Sequence, residues 1–159
     1  MKMKRMIMSL ALTAALGVVS FAAYAQDGGF PRVSYDDVRI KEFPVAVHCW
    51  TFNKFTFVET LDKVRDLGVR YLQPYRGQKL SAATGDAVFG PEMTDEQVKM
   101  VREKLIEYGI SLVSYGVVNF NNDEASMRAV FDFARKMGIK TIVTEPQYDD
   151  WSQIGRAHG

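Results

Sequence analysis

Apolar positions along this chain keep two rhythms, and the rhythms alternate. At Phe57, Leu61, Val64 and Leu67 they recur every three or four residues, which places them on one face of a helix. Val98, Val101, Leu105 and Tyr108 repeat that spacing, as do Met127, Val130, Phe131, Ala134 and Met137. Between the stripes lie short runs of apolar or β-branched residues: Val45 to Trp50, Val69 to Gln73, Ile110 to Val118, and the run after Gly138. Hydrophobicity that is continuous rather than alternating fits a strand covered on both faces. The order is therefore β, α, β, α, β, α, β, which calls for a parallel sheet joined by right-handed crossovers. Periodicity leaves open whether that sheet stays flat or curls toward a barrel.

The punctuation agrees with the rhythm. Thr56-Phe57-Val58-Glu59 and Thr94-Asp95-Glu96-Gln97 have capping-box spacing, and Asn122 or Asp123 can cap the third helix. A glycine closes each helix, in Leu67-Gly68-Val69, Tyr108-Gly109-Ile110 and Met137-Gly138-Ile139. The first helix is predicted over Phe57 to Leu67. Pro74 stops the second strand, so Gln73, Tyr75 and Arg76 belong at its C-terminal end. The loop from Gly77 to Met93 is long, and loops of that length tend to be functional or disordered.

Composition changes the picture at the N-terminus. Lys2, Lys4 and Arg5, the apolar stretch Met6 to Val19, and Ala23-Tyr24-Ala25 follow the order of a secretory signal peptide, expected over residues 1–25. Cleavage there leaves no stable membrane anchor. Residues 26–42 are polar and Gly-containing, and read as a flexible arm loosely held against the domain. The chain of 159 residues carries 20 Lys+Arg against 19 Asp+Glu. Three of the basic residues lie in the leader, so the balance downstream is slightly acidic and argues against a nucleic-acid partner. A single cysteine, Cys49, excludes an internal disulfide and fits a small core residue.

Three stretches together resemble the xylose isomerase-like TIM-barrel family, many of whose members are called sugar phosphate isomerases or epimerases. They are Val47-His48-Cys49-Trp50-Thr51-Phe52, Tyr71-Leu72-Gln73-Pro74-Tyr75-Arg76-Gly77-Gln78-Lys79-Leu80, and Thr144-Glu145-Pro146. The resemblance covers residues 43–153 and implies a partial TIM barrel: parallel (β/α) units making about half of the eight that the fold requires. It implies that the chain is truncated. Residues 154–159, Ile154 to Gly159, show no helical period and read as a non-native tail, translated from a sequencing adapter, in which His158 has no role. An ordinary flexible tail is the alternative.

The resemblance also implies chemistry. Family members hold a divalent metal, Mn or Mg, with carboxylate and imidazole ligands from successive strand ends, and only the first of these, Glu145, maps onto this chain. That glutamate can also take a proton from the carbon beside a sugar carbonyl, giving an enediolate whose charge the metal stabilises. Read without the resemblance, a strand-end Glu before Pro is a solvated loop residue or an ion-pair partner. His48, at the first strand end, is either a catalytic contact to substrate or a satisfied structural histidine. Trp50 and Tyr75, with Phe52, form either a platform for a sugar face or a cap on the strand ends. Gln73 stands where relatives often carry glutamate, which keeps hydrogen bonding to substrate and removes a charge. Arg76 and Lys79 could attract a phosphate, but export argues for an unphosphorylated sugar. The expectation is a fragment, itself inactive, of an exported, periplasmic, metal-dependent sugar isomerase, epimerase or related lyase. The alternatives are a periplasmic carbohydrate-binding or scaffold protein on the same fold, and a complete small open-sheet domain.

Overall fold

The computed structural model describes residues 29–30, 39–40, 43–120, 123–146 and 151–158. The leader expected over residues 1–25 and most of the arm over 26–42 lie outside the described residues. A short antiparallel pair, β1 (Arg39–Ile40) and β2 (Phe43–Pro44), comes first. Then follow β3 (Val47–His48), α1 (Phe57–Asp66), β4 (Tyr71–Gln73), α2 (Asp95–Tyr108), β5 (Ser111–Leu112), β6 (Tyr115–Val118), α3 (Glu124–Lys136), β7 (Ile142–Thr144) and α4 (Trp151–His158). Strands β3, β4 and β5 form one parallel sheet in that order, and β6 with β7 forms a second. The fold is mixed α/β with short parallel strands, and no barrel is closed among the described residues.

The helices begin where the sequence places them. Thr56 Oγ1 accepts from the Glu59 amide at 3.3 Å while Glu59 Oε2 accepts from the Thr56 amide at 2.8 Å. Thr94 and Gln97 make the same reciprocal pair, and the Asp123 carboxylate takes the amides of Ala125 and Ser126. Each such cap is worth about 1 kcal/mol. Two further amides at the start of α1, those of Phe57 and Val58, donate to the carbonyls of Lys79 and Leu80 at 2.7 and 3.0 Å. The long loop after β4 is therefore neither disordered nor free. It folds back as a hairpin, with Phe89 N–H on Gln78 O and Leu80 N–H on Ala87 O, and plugs Leu80 and Phe89 into the core.

Buried faces follow the predicted stripes with two differences. Phe57, Leu61 and Val64 of α1 are fully buried, but Leu67 is 64% exposed because the helix ends at Asp66 and the chain turns through Gly68. On α3, Phe133 rather than Phe131 joins the main core, meeting the rings of Phe89 and Tyr115. Phe131 lies on a second face of α3, against Phe120 and His158. That face exists because residues 151–158 form α4 and pack on α3, although residues 154–159 were expected to be an irregular tail. The arm also departs from expectation at one residue. Phe30 is buried in the core, with the Arg102 guanidinium 4.7 Å from its ring centre.

The run predicted as one strand, Ile110 to Val118, divides. Leu112 faces the helices, and so do Tyr115 and Val118, so strict alternation fails twice within nine residues. Its first part, β5, pairs with β4, and its second part, β6, pairs with β7. The central strands are mostly buried, while β3 and β7 are only half-buried along their whole length. For β3 this replaces the full burial expected of the first strand.

Acid should loosen this fold. Hydrogen bonds from Thr56 hold the Glu59 carboxyl below its ordinary value, Arg128 and then Arg156 do so for Glu124, and Lys136 does so for Asp95. A carboxyl lowered in the folded state adds stability that is complete above its unfolded value and is lost as pH falls through the folded one. The urea midpoint is expected to fall between about pH 5 and about pH 3. Glu59→Gln should fall less steeply than the parent across that window, and parallel curves would contradict the assignment.

Candidate functional site

The two faces of the parallel layer differ in chemistry. Strand alternation sends Val47, Leu72 and Leu112 toward the helices, where Leu72 is fully buried. The next residues along β3 and β4, His48 and Gln73, are paired in register and therefore share the opposite face. In the second sheet Tyr115 and Ile142 pair on the helix side, and Gly116 and Val143 pair on the other. Thr144 turns back to the helix side, where it lines a cleft of about 650 Å³ with Phe120, Phe131 and Ile154. Glu145 lies exposed just beyond β7. The C-terminal ends of β3 and β4 thus bring His48 and Gln73 to one polar side, and Glu145 follows the end of β7 in the second sheet.

Gly116 is the meeting point. Its carbonyl accepts from His48 Nε2 at 2.9 Å and from Gln73 Nε2 at 3.1 Å. Its amide donates to the Pro74 carbonyl at 3.0 Å, which ties the second sheet to the end of β4. Gln73 is held at its other end as well, because Oε1 accepts from Ser114 Oγ at 2.9 Å. A carbonyl only accepts, so His48 carries a hydrogen on Nε2. Gln73 is braced between two partners and is oriented by them. No residue with a Cβ fits at Gly116. Its φ is +145°, and an added Cβ would stand 2.2 Å from the Val143 carbonyl oxygen.

Aromatic rings border this cluster. Trp50 lies in a 3₁₀ turn, Cys49–Phe52, not in the strand, and is 58% exposed. Its ring meets Tyr75 edge-on at 5.0 Å between centroids, and Tyr75 lies 6.4 Å from the His48 ring. Burial, then the neighbouring Cys49, raise the Tyr75 phenol, which keeps it a neutral hydrogen-bonding group at ordinary pH. Cys49 itself is fully buried, and burial pushes its thiol up, so it is not a nucleophile. Arg76 pairs with Glu92 and Lys79 with Asp86, so neither cation is held out for a phosphate.

A divalent cation does not fit the residues described. Hard cations take about six oxygen-rich ligands. Glu145 is a single carboxylate, His48 Nε2 is committed to a main-chain carbonyl, and no group of three metal-binding side chains converges among the described residues.

The fold has a solved counterpart. A crystal structure of an uncharacterized protein from Parabacteroides distasonis ATCC 8503 is similar to this chain, with a TM-score of 0.65 and 26% identity. The similarity covers 70% of this chain and 47% of that one, so this chain spans about half the length of the protein it matches. No family model matches the chain, and no curated protein matches it.

Ser114 and the Gly116 backbone were not among the sequence-predicted site residues. The available signal was a glycine inside a strand pattern, which marks a bulge or a close backbone approach. The expected cost of filling that approach is specific. Gly68 also has a positive φ, but nothing lies within 4 Å of its added Cβ. Gly68→Ala should therefore cost only the left-handed backbone preference, about 1 to 2 kcal/mol. Gly116→Ala should cost about 2 kcal/mol more, from collision with Val143. Urea unfolding followed by circular dichroism compares them, and equal losses would contradict the close approach.

Proposed function

We propose that this chain is the N-terminal half of an exported, periplasmic sugar isomerase, epimerase or related lyase on a xylose isomerase-like (β/α) barrel. The observation that carries the reading is the pairing of His48 and Gln73 at adjacent strand ends, beside the exposed Trp50 and its half-buried neighbour Tyr75. In a parallel α/β layer, ligands bind at the C-terminal ends of the strands. Two aromatic rings at an edge-on angle offer an apolar surface to the C–H face of a free sugar, and the braced amide and imidazole offer fixed polar atoms beside it. Glu145, exposed just past β7, is in this reading the carboxylate that takes a proton from the carbon next to a sugar carbonyl. The Mn or Mg ion of such an enzyme would need ligands from the remainder of the protein, because the residues present here do not supply them.

A second reading is a periplasmic sugar-binding or scaffold protein without chemistry. It is favoured by the commitment of Gln73 Nε2 and His48 Nε2 to the Gly116 carbonyl, and of Gln73 Oε1 to the Ser114 hydroxyl.

One pair of measurements separates the two. In a Trp151→Phe background, Trp50 emission should respond saturably to millimolar D-xylose or D-glucose, and Tyr75→Ala should remove the response. Protein from the longer reading frame, supplied with Mn²⁺, should wash solvent deuterium into the carbon beside the sugar carbonyl, and Glu145→Gln should abolish exchange by at least a hundredfold (order of magnitude for a lost general base). The present chain should show no exchange. Emission change without exchange by the longer protein points to the binder, and silence in both refutes the sugar reading.

A further inference from the structure

We infer that the end of β4 is built to hold an uncharged amide and to refuse a carboxylate, and that Gln73 meets one sugar hydroxyl as donor and acceptor at once. The contact to sugar rests on the reading proposed above, whereas the choice of amide rests on the hydrogen bonds alone.

The two atoms at the tip of Gln73 face opposite demands. Nε2 lies 3.1 Å from the Gly116 carbonyl, which only accepts, so this end must donate. Oε1 lies 2.9 Å from Ser114 Oγ, which donates to it, so the other end must accept. Ser114 is buried and Gln73 half-buried, so the pair of bonds is partly shielded from water. The carbonyl is fixed. His48 Nε2 holds it at 2.9 Å, the Gly116 amide is tied to Pro74 O, and the β7 backbone packs against the same residue. An ionised carboxylate on β4 would therefore set one oxygen against another across a hydrogen-bond distance. Its protonated form would keep both bonds, with O–H in place of N–H.

A primary amide carries two hydrogens on nitrogen and two lone pairs on oxygen. Gly116 and Ser114 take one of each, which leaves one hydrogen and one lone pair without a partner among the described residues. A hydroxyl satisfies both, since it accepts and donates through one oxygen. A carboxylate or phosphate oxygen satisfies only the hydrogen, and a cation only the lone pair. A polyol is therefore the ligand class that completes this strand end, and the Trp50–Tyr75 rings border His48 beside it. The titratable groups near Gln73 on this face are His48 of β3 and Tyr75 beyond β4, with Glu145 exposed past β7. Tyr115 of β6 points to the helix side, near Arg76 and Glu92.

Gln73→Glu in the full chain tests the choice of amide. Held protonated by the Gly116 carbonyl, the introduced carboxyl stays neutral in the folded state above its ordinary value of about 4.3. Its cost is then absent below that value and grows as pH rises through it. The urea midpoint of the variant should lie closest to the parent's near about pH 4 and fall below it by about pH 7. Repeating the pair in a His48→Phe background removes capture of the carboxylate by an imidazolium. A gap that does not change with pH, or no gap at neutral pH, overturns the inference. Should the variant fail to fold, the parent decides by NMR of the Gln73 side-chain amide, identified through its own carbons. One Nε2 hydrogen should exchange slowly and the other rapidly, and saturating D-xylose should shift the second. Two hydrogens that exchange alike overturn the inference. A Trp50 response to D-xylose that leaves both hydrogens unmoved overturns the hydroxyl contact and leaves the sugar reading standing. Silence of Trp50 and Gln73 together ends the sugar reading and the contact with it, while the pH comparison still decides the choice of amide.

Discussion

One main-chain carbonyl holds the arrangement together. Gly116 O takes hydrogen bonds from a side chain on β3 and a side chain on β4, while the same residue's amide reaches the end of β4 and its neighbours pair with β7. Every strand end that carries candidate chemistry is thereby referred to a single point. The condition for this is steric: the β7 backbone passes so close that only a glycine fits. A buried carbonyl with two donors is well satisfied, and removing either donor would leave polar atoms short of partners at about 1–3 kcal/mol each.

The rest of the domain serves that junction from the other side. Fully buried side chains on α1, α2 and α3, including Leu61, Val64, Val101, Leu105, Met127 and Val130, cover the apolar face of the layer. Each contributes about 1.5–3 kcal/mol by leaving water. The hairpin after β4 locks onto α1 through the carbonyls of Lys79 and Leu80, and its Gln78 amide bonds Thr60 Oγ1 inside the core. Packing is thus concentrated behind the strands, and the opposite face is left to polar groups. That asymmetry is what makes the face a candidate site.

Much of this was legible beforehand, for identifiable reasons. Helix starts depend on local hydrogen bonds between residues two or three apart, so Thr56 and Thr94 announced themselves, and Asp123 was one of two caps the third helix offered. Parallel pairing followed from the alternation of stripes and runs. The division of the third strand was hidden, because Ile110 to Val118 is apolar almost throughout and composition does not reveal a change of phase. The order in the loop after β4 was hidden too, since it depends on which helix lies beneath Leu80 and Phe89. Phe131 and α4 were misjudged together: a short helix seated by tertiary contact with α3 has little local signal. The strand-end positions of His48, Gln73 and Glu145 were legible from the runs that precede them, whereas the approach of Ser114 and the Gly116 carbonyl required knowing how two sheets join.

The claim that Gly116 gathers the strand ends is tested most directly by the protonation of one ring. Long-range nitrogen–proton NMR on the imidazole of His48 reads which nitrogen carries the hydrogen. The structure requires a slowly exchanging Nε2–H, donated to the Gly116 carbonyl. A ring protonated at Nδ1 alone, or one whose Nε2–H exchanges at the rate of a free histidine, would mean that His48 does not reach the Gly116 carbonyl.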